Sequence, residues 1–211
     1  MSTKAIIVLS GNLTTADRRL LRRVPGSTLL IGCDGGTRHL LDLGLEPDVA
    51  IGDFDSFAIT KLPARIKRVA YPRDKDRTDI QLAVAYAVKA GRDDLTLLAF
   101  GGDRFDHMLG ALLLLTRPSY RKLHIRLIFG KQEMYLASPR TVIHGARGDM
   151  ISFIPLSARV EVAESRGLKY NLTRYHLSPY ANQGISNELR GKRAEIVVKT
   201  GLIVVIHEHA E

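Results

Sequence analysis

Asp53 and Asp55 stand two residues apart in Gly52-Asp53-Phe54-Asp55-Ser56, just after the apolar run Val49-Ala50-Ile51. On extended chain, side chains at that spacing project to the same side. Two carboxylates held together repel unless a cation lies between them, and a hard, oxygen-liganded ion such as Mg²⁺ answers that need. Gly52 lets the backbone turn or approach a ligand closely. Asp, Ser and Gly are also turn residues, so the stretch taken by itself admits a plain surface turn.

Other chemistry-bearing clusters follow the same plan. Asp34-Gly35-Gly36 closes one apolar run, and Gly101-Gly102 closes another shortly before Asp106 and His107. Between them lies Arg73-Asp74-Lys75-Asp76-Arg77-Thr78-Asp79, in which six of seven residues are charged. Asp79 is a candidate third metal ligand, although negative charge also favours a helix start. Lys75 and Arg77 could meet phosphates, one as a point charge and the other as a fork. Gly101 and Gly102 could present backbone N–H groups to phosphate. Asp34 reads either as a neighbour of the metal or as the anchor of its own turn. Asp106 reads as a group that orients or deprotonates an acceptor hydroxyl, or as a helix cap.

The elements that must position these groups alternate. Runs at 5–9, 28–33, around 49–51, 68–71, 95–100 and 124–129 read as strands, mostly apolar throughout as in a buried parallel sheet. Helices are expected from Thr14 or Thr15 to about Arg23, over 37–43, from a Thr78/Gln81 capping box through Lys89, and from Asp103 to about Thr116. That alternation predicts an α/β domain with a mostly parallel, Rossmann-like sheet and flanking helices. Ligands of such sheets bind at the carboxyl ends of the strands, where every cluster named above falls. From about Pro139 the pattern changes to short β runs at 141–144, 150–154, 160–162, 195–199 and 202–207, which predicts a smaller all-β domain. The expected division is 1–137 and 138–211.

The 211 residues carry a net charge of +9 and a single cysteine, Cys33. One cysteine excludes an internal disulfide and suits a reducing cytoplasm. The longest apolar run, Met108–Leu115, is far shorter than a membrane span requires, and no amino-terminal signal is read. Arg18, Arg19, Arg22 and Arg23 have helical spacing and read as a solvated face. A nucleic-acid role would therefore rest on net charge alone. His207 and His209 read as a strand end or tail, and Cys33 is given no chemistry.

Taken in order, Asp34-Gly35-Gly36, Pro47-Asp48, Gly52-Asp53-Phe54-Asp55-Ser56, Lys75-Asp76-Arg77-Thr78-Asp79 and Gly101-Gly102 with Arg104-Phe105-Asp106-His107 resemble the thiamine pyrophosphokinase family. So do Gly167-Leu168-Lys169-Tyr170, Gly184-Ile185-Ser186-Asn187-Glu188 and Gly201-Leu202. The resemblance implies transfer of pyrophosphate from ATP to the thiamine hydroxyl, giving thiamine diphosphate and AMP. It further implies a carboxyl-terminal β-sandwich that binds thiamine, and a homodimer. Carried over residue by residue, it places Mg²⁺ on Asp53, Asp55 and Asp79, with Asp106 as the fourth catalytic residue. ATP falls to Asp34, Lys75, Asp76, Thr78, Gly101 and Gly102, and thiamine to Asp106, His107, Ser186, Asn187 and Glu188. Departures fall at Gly110-Ala111, where the family often has Ala-Asn, and at Gln183, where it often has arginine. They bear on the acceptor, so a pyrophosphokinase for 6-hydroxymethylpterin is the enzymatic alternative. A non-catalytic nucleotide-binding module is the alternative from another class.

Overall fold

The structure is a computed structural model and describes residues 4–54, 62–72, 74 and 76–210. Asp55, Ser56 and Lys75, all expected at the site, lie outside the described residues. The chain divides into two compact units, Met1–Gly130 and Lys131–Glu211.

The first unit holds strands β1 (Lys4–Val8), β2 (Leu29–Cys33), β3 (Val49–Gly52), β4 (Lys67–Ala70), β5 (Asp94–Leu98) and β6 (His124–Phe129). They pair in parallel in the order β6-β5-β1-β2-β3-β4. Its helices are α1 (Thr15–Leu21), α2 (Gly35–Asp42), α3 (Asp79–Lys89) and α4 (Phe105–Leu114). The central strands read as unbroken apolar runs because both of their faces are covered. Ile6 and Val8 of β1 pack with Leu21 of α1 and Leu40 of α2, while Ala5 and Ile7, pointing the other way, are equally buried. The chain steps outward from β1 to β4 through α1 and α2, then returns through α3 to β5 on the far side of β1. With right-handed crossovers, that reversal puts α3 on the opposite face. β1 and β5 are thus the two sides of the topological switch point.

Local signals behave as the sequence predicts. Thr14 Oγ1 accepts from Asp17 N and Asp17 Oδ2 accepts from Thr14 N, a complete capping box at the start of α1. The Thr78/Gln81 capping box forms at α3. The fourth helix starts at Phe105, two residues beyond the expected Asp103, and α2 starts at Gly35, two residues early.

The second unit is all-β. Strands β7 (Gln132–Leu136), β9 (Met150–Pro155), β12 (Asn187–Glu188) and β14 (Ile203–Glu208) run antiparallel in the order β12-β9-β14-β7. Strands β8 (Arg140–His144), β10 (Val160–Arg166), β11 (Tyr175–Leu177) and β13 (Arg193–Thr200) run antiparallel in the order β11-β10-β13-β8. Ile151, Phe153, Ile203 and Val205 from the first sheet meet Ile143, Val160, Val162, Ala194 and Ile196 from the second in one core. Alternate residues of each strand fill it, which makes the unit a sandwich.

Candidate active site

The carboxyl ends of β1, β2, β3 and β5 are pinned to one another by short polar contacts. Ser10 Oγ, after β1, donates to Cys33 O at 3.3 Å and accepts from Gly35 N at 3.1 Å, joining β1 to the turn that opens α2. Gly11 N donates to Ala99 O at 2.7 Å and Asn12 N to Gly101 O at 2.6 Å, joining β1 to the turn after β5. His39 of α2 is hydrogen-bonded through Nε2 to Gly11 O at 2.8 Å. These turns are built for close approach. A Cβ on Gly36 would lie 1.9 Å from Val8 O, and one on Gly11 would lie 2.3 Å from Gly101 O. Strain gathers here as well: Asp34, Phe54 and Ala99 have φ of 47°, 57° and 53°. Non-glycine residues in that region cost energy and concentrate where function over-determines the backbone.

Asp34 does not cap α2 with its side chain. Its Oδ1 instead accepts the Asp53 N–H at 3.2 Å, and its own N–H donates to Ile51 O at 2.8 Å. Asp53 therefore leaves β3 in an orientation set by Asp34. Tyr71 N donates to Gly52 O at 3.0 Å, so the chain leaves β4 beside the same strand end; Asp76 is exposed, and Thr78 and Asp79 stand at the start of α3. The Thr78 hydroxyl is used by the capping box.

Gly101 and Gly102 follow β5. Gly101 is pressed against Phe129, 2.4 Å from a built Cβ to the ring, whereas a Cβ on Gly102 would meet Asn12 at an ordinary 3.6 Å. Asp106 sits in the first turn of α4, where the residue at the cap is Arg104. The Arg104 guanidinium grips its carboxylate from Nε at 2.9 Å and Nη2 at 2.6 Å. That bidentate bond holds the carboxyl down to about 2, so Asp106 is ionised throughout the neutral range and is a weak base. His107 Nε2 lies 3.9 Å from the same carboxylate.

In the second unit Ser186 has φ of 59° and donates from its backbone N–H to Ser152 Oγ at 3.2 Å. Asn187 is buried. Its Oδ1 accepts from Tyr170 N at 3.0 Å and Glu188 N at 2.9 Å, while its Nδ2 donates to Tyr170 O at 2.8 Å. Glu188 accepts from Lys169 Nζ at 2.9 Å. These two and Arg147 and Arg190 line a surface cleft of about 420 Å³. The sequence marks Ser10-Gly11-Asn12 as a functional loop after the first strand but gives no sign of His39 as a site-forming residue. The His39 contact spans 28 residues and left no local signal.

A doubly wound parallel sheet with acidic groups and glycine turns along one rim, followed by a β-sandwich, is the architecture of a phosphate-handling enzyme. Residues 21–127 match the family model described as thiamin pyrophosphokinase, catalytic domain, and residues 140–203 match thiamin pyrophosphokinase, vitamin B1 binding domain. The chain belongs to the thiamin pyrophosphokinase family. It is 33% identical over 186 residues to the thiamine pyrophosphokinase of Bacillus subtilis (strain 168), covering 85% of this chain and 86% of that protein. The crystal structure of the Bacillus subtilis enzyme superposes with a TM-score of 0.84 at 30% identity, covering 99% of this chain and 100% of that one. That of thiamin pyrophosphokinase from Geobacillus thermodenitrificans gives 0.82 at 26% identity, with 98% of each chain covered. The Candida albicans enzyme, at 16% identity and a TM-score of 0.81 over 98% of this chain and 89% of that one, shares the fold.

Proposed function

We propose that the protein transfers pyrophosphate from ATP to the hydroxyethyl oxygen of thiamine, forming an O–Pβ bond as the bond from Pβ to the α,β-bridging oxygen breaks. The products are thiamine diphosphate and AMP, and the hydroxyl proton passes to a base or to water. The reading is carried by the acidic, glycine-rich rim of β2, β3 and β5, which lies within the segment matched by the family's catalytic domain. The vitamin B1 binding match over residues 140–203 supports thiamine over a pterin as acceptor.

Transfer of this kind is mostly positioning and charge neutralisation. The donor set at the rim is made of carboxylate oxygens, which fits Mg²⁺ and not a softer ion. Asp53 and Asp79 would hold it together with Asp55, and when bound it supplies neutralisation of phosphate charge. Asp34 positions Asp53. Asp76, Thr78, Gly101, Gly102 and Lys75 are the proposed ATP contacts. Asp106, held in place by Arg104, orients the acceptor hydroxyl with His107 beside it. In the sandwich, Ser186, Asn187 and Glu188 form the proposed thiamine wall, Asn187 by fixing the backbone of Tyr170. ATP and metal functions are assigned to 1–137 and thiamine binding to 138–211. The homodimer implied by the family is supported by α4, whose Phe105, Leu109 and Leu113 form a stripe at i, i+4 and i+8 exposed by 72%, 43% and 47%. Among the described residues no helix is long and apolar enough to cross a membrane; the lone buried thiol of Cys33 suits a cytoplasmic setting.

The test is a product assay with ATP, Mg²⁺ and thiamine that resolves AMP from ADP. Thiamine diphosphate with equimolar AMP is the expected result. ADP would overturn the mechanism, and AMP formed only with a hydroxymethyl pterin would replace the acceptor.

A further inference from the structure

His207 on β14 lies directly opposite Glu133 on β7 in the antiparallel register. His209, two residues on, falls on the same side and is held there by its N–H donating to Lys131 O at 3.1 Å. Pairing across strands and along one strand therefore brings two imidazoles and a carboxylate to one point. The imidazole rings are 4.0 Å apart between centres, and His209 Nε2 is 3.8 Å from Glu133 Oε2. One ligand atom from each of the three residues lies within 4.8 Å of the others.

Behind the cluster, buried Asp149 accepts from His207 Nε2 at 2.7 Å, Ala146 N at 2.9 Å and Ala210 N at 2.8 Å. A carboxylate there requires the His207 proton on Nε2 and leaves Nδ1 with a lone pair, the carboxylate–histidine arrangement that orients metal-binding imidazoles. Gly145 makes this possible, because a Cβ on it would lie 2.3 Å from Asp149 Oδ2 and 2.9 Å from His207 Cε1. The His209 contacts to Glu133 and to Asp149, at 3.8 Å and 3.7 Å, are too long for hydrogen bonds. They match groups arranged around a cation. A tetrahedral ion needs ligand atoms about 3.3 Å apart, which small side-chain rotations would reach.

We propose that Glu133, His207 and His209 form a Zn²⁺ site that clamps the last residues of the chain to β7. Imidazole nitrogen selects a first-row transition ion over Mg²⁺, so the site is chemically distinct from the carboxylate rim. His209 is half exposed, which gives the ion an entry path and leaves a fourth position for water.

The experiment uses the untagged full chain, stripped of metal and titrated with Zn²⁺ by calorimetry in excess Mg²⁺, which occupies the oxygen-only rim. One Zn²⁺ per chain is expected at micromolar affinity or better, with a rise in Tm on binding. His209→Ala and Glu133→Gln, both at exposed or half-buried positions, should each lower affinity at least tenfold and abolish the Tm rise. Asp149→Asn should lower affinity by roughly 10–100-fold, as for loss of an orienting partner. Absence of saturable binding, or binding unchanged in both His209→Ala and Glu133→Gln, overturns the proposal.

Discussion

The backbone N–H of Asp53 donates to Oδ1 of Asp34 at 3.2 Å, tying the end of β3 to the strained turn after β2. Asp53 thus owes its direction to a carboxylate 19 positions earlier. Asp53→Asn is expected to lower kcat by on the order of 10²-fold or more, the scale for removing a group that stabilises transition-state charge, with unfolding temperature unchanged. Normal turnover in that variant would remove Asp53 from the metal site. Asp34→Ala should lower activity through Asp53, whereas Asp34→Asn keeps an acceptor oxygen and should retain more of it.

Gly52 lies against that same carboxylate, and a Cβ built on it falls 1.5 Å from Asp34 Oδ1. Gly52→Ala must push the Asp34 side chain aside. We expect a loss of about 1–3 kcal/mol, the usual cost of overpacking, together with a fall in kcat. Denaturant titration and a steady-state assay on the same preparation check both.

The Arg104 grip on Asp106 predicts a titration. Asp106 should titrate at about 2 in the native protein, and Arg104→Gln should move it up toward its ordinary value of 3.8. Carboxyl carbon NMR of labelled aspartate reads the shift directly. Since Asp106 remains ionised at neutral pH in both forms, any loss of activity in Arg104→Gln does not come from protonation of Asp106.

Asp17 is fully buried and its carboxyl is pushed up, chiefly by desolvation, against the hydrogen bonds from Thr14 that hold it down. A raised folded value means that the folded state binds the proton more tightly than the unfolded one. Stability therefore falls as pH rises from 3.8 through the folded value, and stays lower above it. Asp17→Asn should flatten that decline in denaturant titrations across the acid range. Thr14→Ala, by removing the hydroxyl cap, should cost about 1 kcal/mol.

The exposed stripe of α4 gives a test of assembly. Leu109→Glu should convert a dimer to a monomer in sedimentation velocity while leaving circular dichroism unchanged. A dimer that survives Leu109→Glu would place the contact on another surface.

What was legible in the sequence was whatever has a local period or a local cap. Continuous apolar runs marked β1, β2 and β5 because both faces of those strands are buried, and Thr14 and Thr78 announced their helices through side chains three residues away. β7, β11 and β12 were passed over. β12 has only two residues, and β7 and β11 carry polar side chains on half-exposed positions. At the rim, Asp34 could be read as a turn anchor or a neighbour of the metal. The structure turns its carboxylate to the Asp53 N–H, a contact that pairing of β2 with β3 delivers and no local spacing encodes. Likewise the strand-end reading of His207 holds, but the facing Glu133 and the buried Asp149 come from strand register and a loop 58 residues away.

Asn187 joins two loops with one amide, and the junction is reinforced by Lys169 N donating to Glu188 O at 2.9 Å and Arg190 N to Gly167 O at 2.9 Å. The segments around 168–170 and 187–190 can therefore hardly vary alone. In evolutionary terms they behave as a single inherited character: a change of shape in one is selected against until the other changes with it. Two segments so joined should drift in coupled steps, while the solvated arginines of α1 drift one at a time.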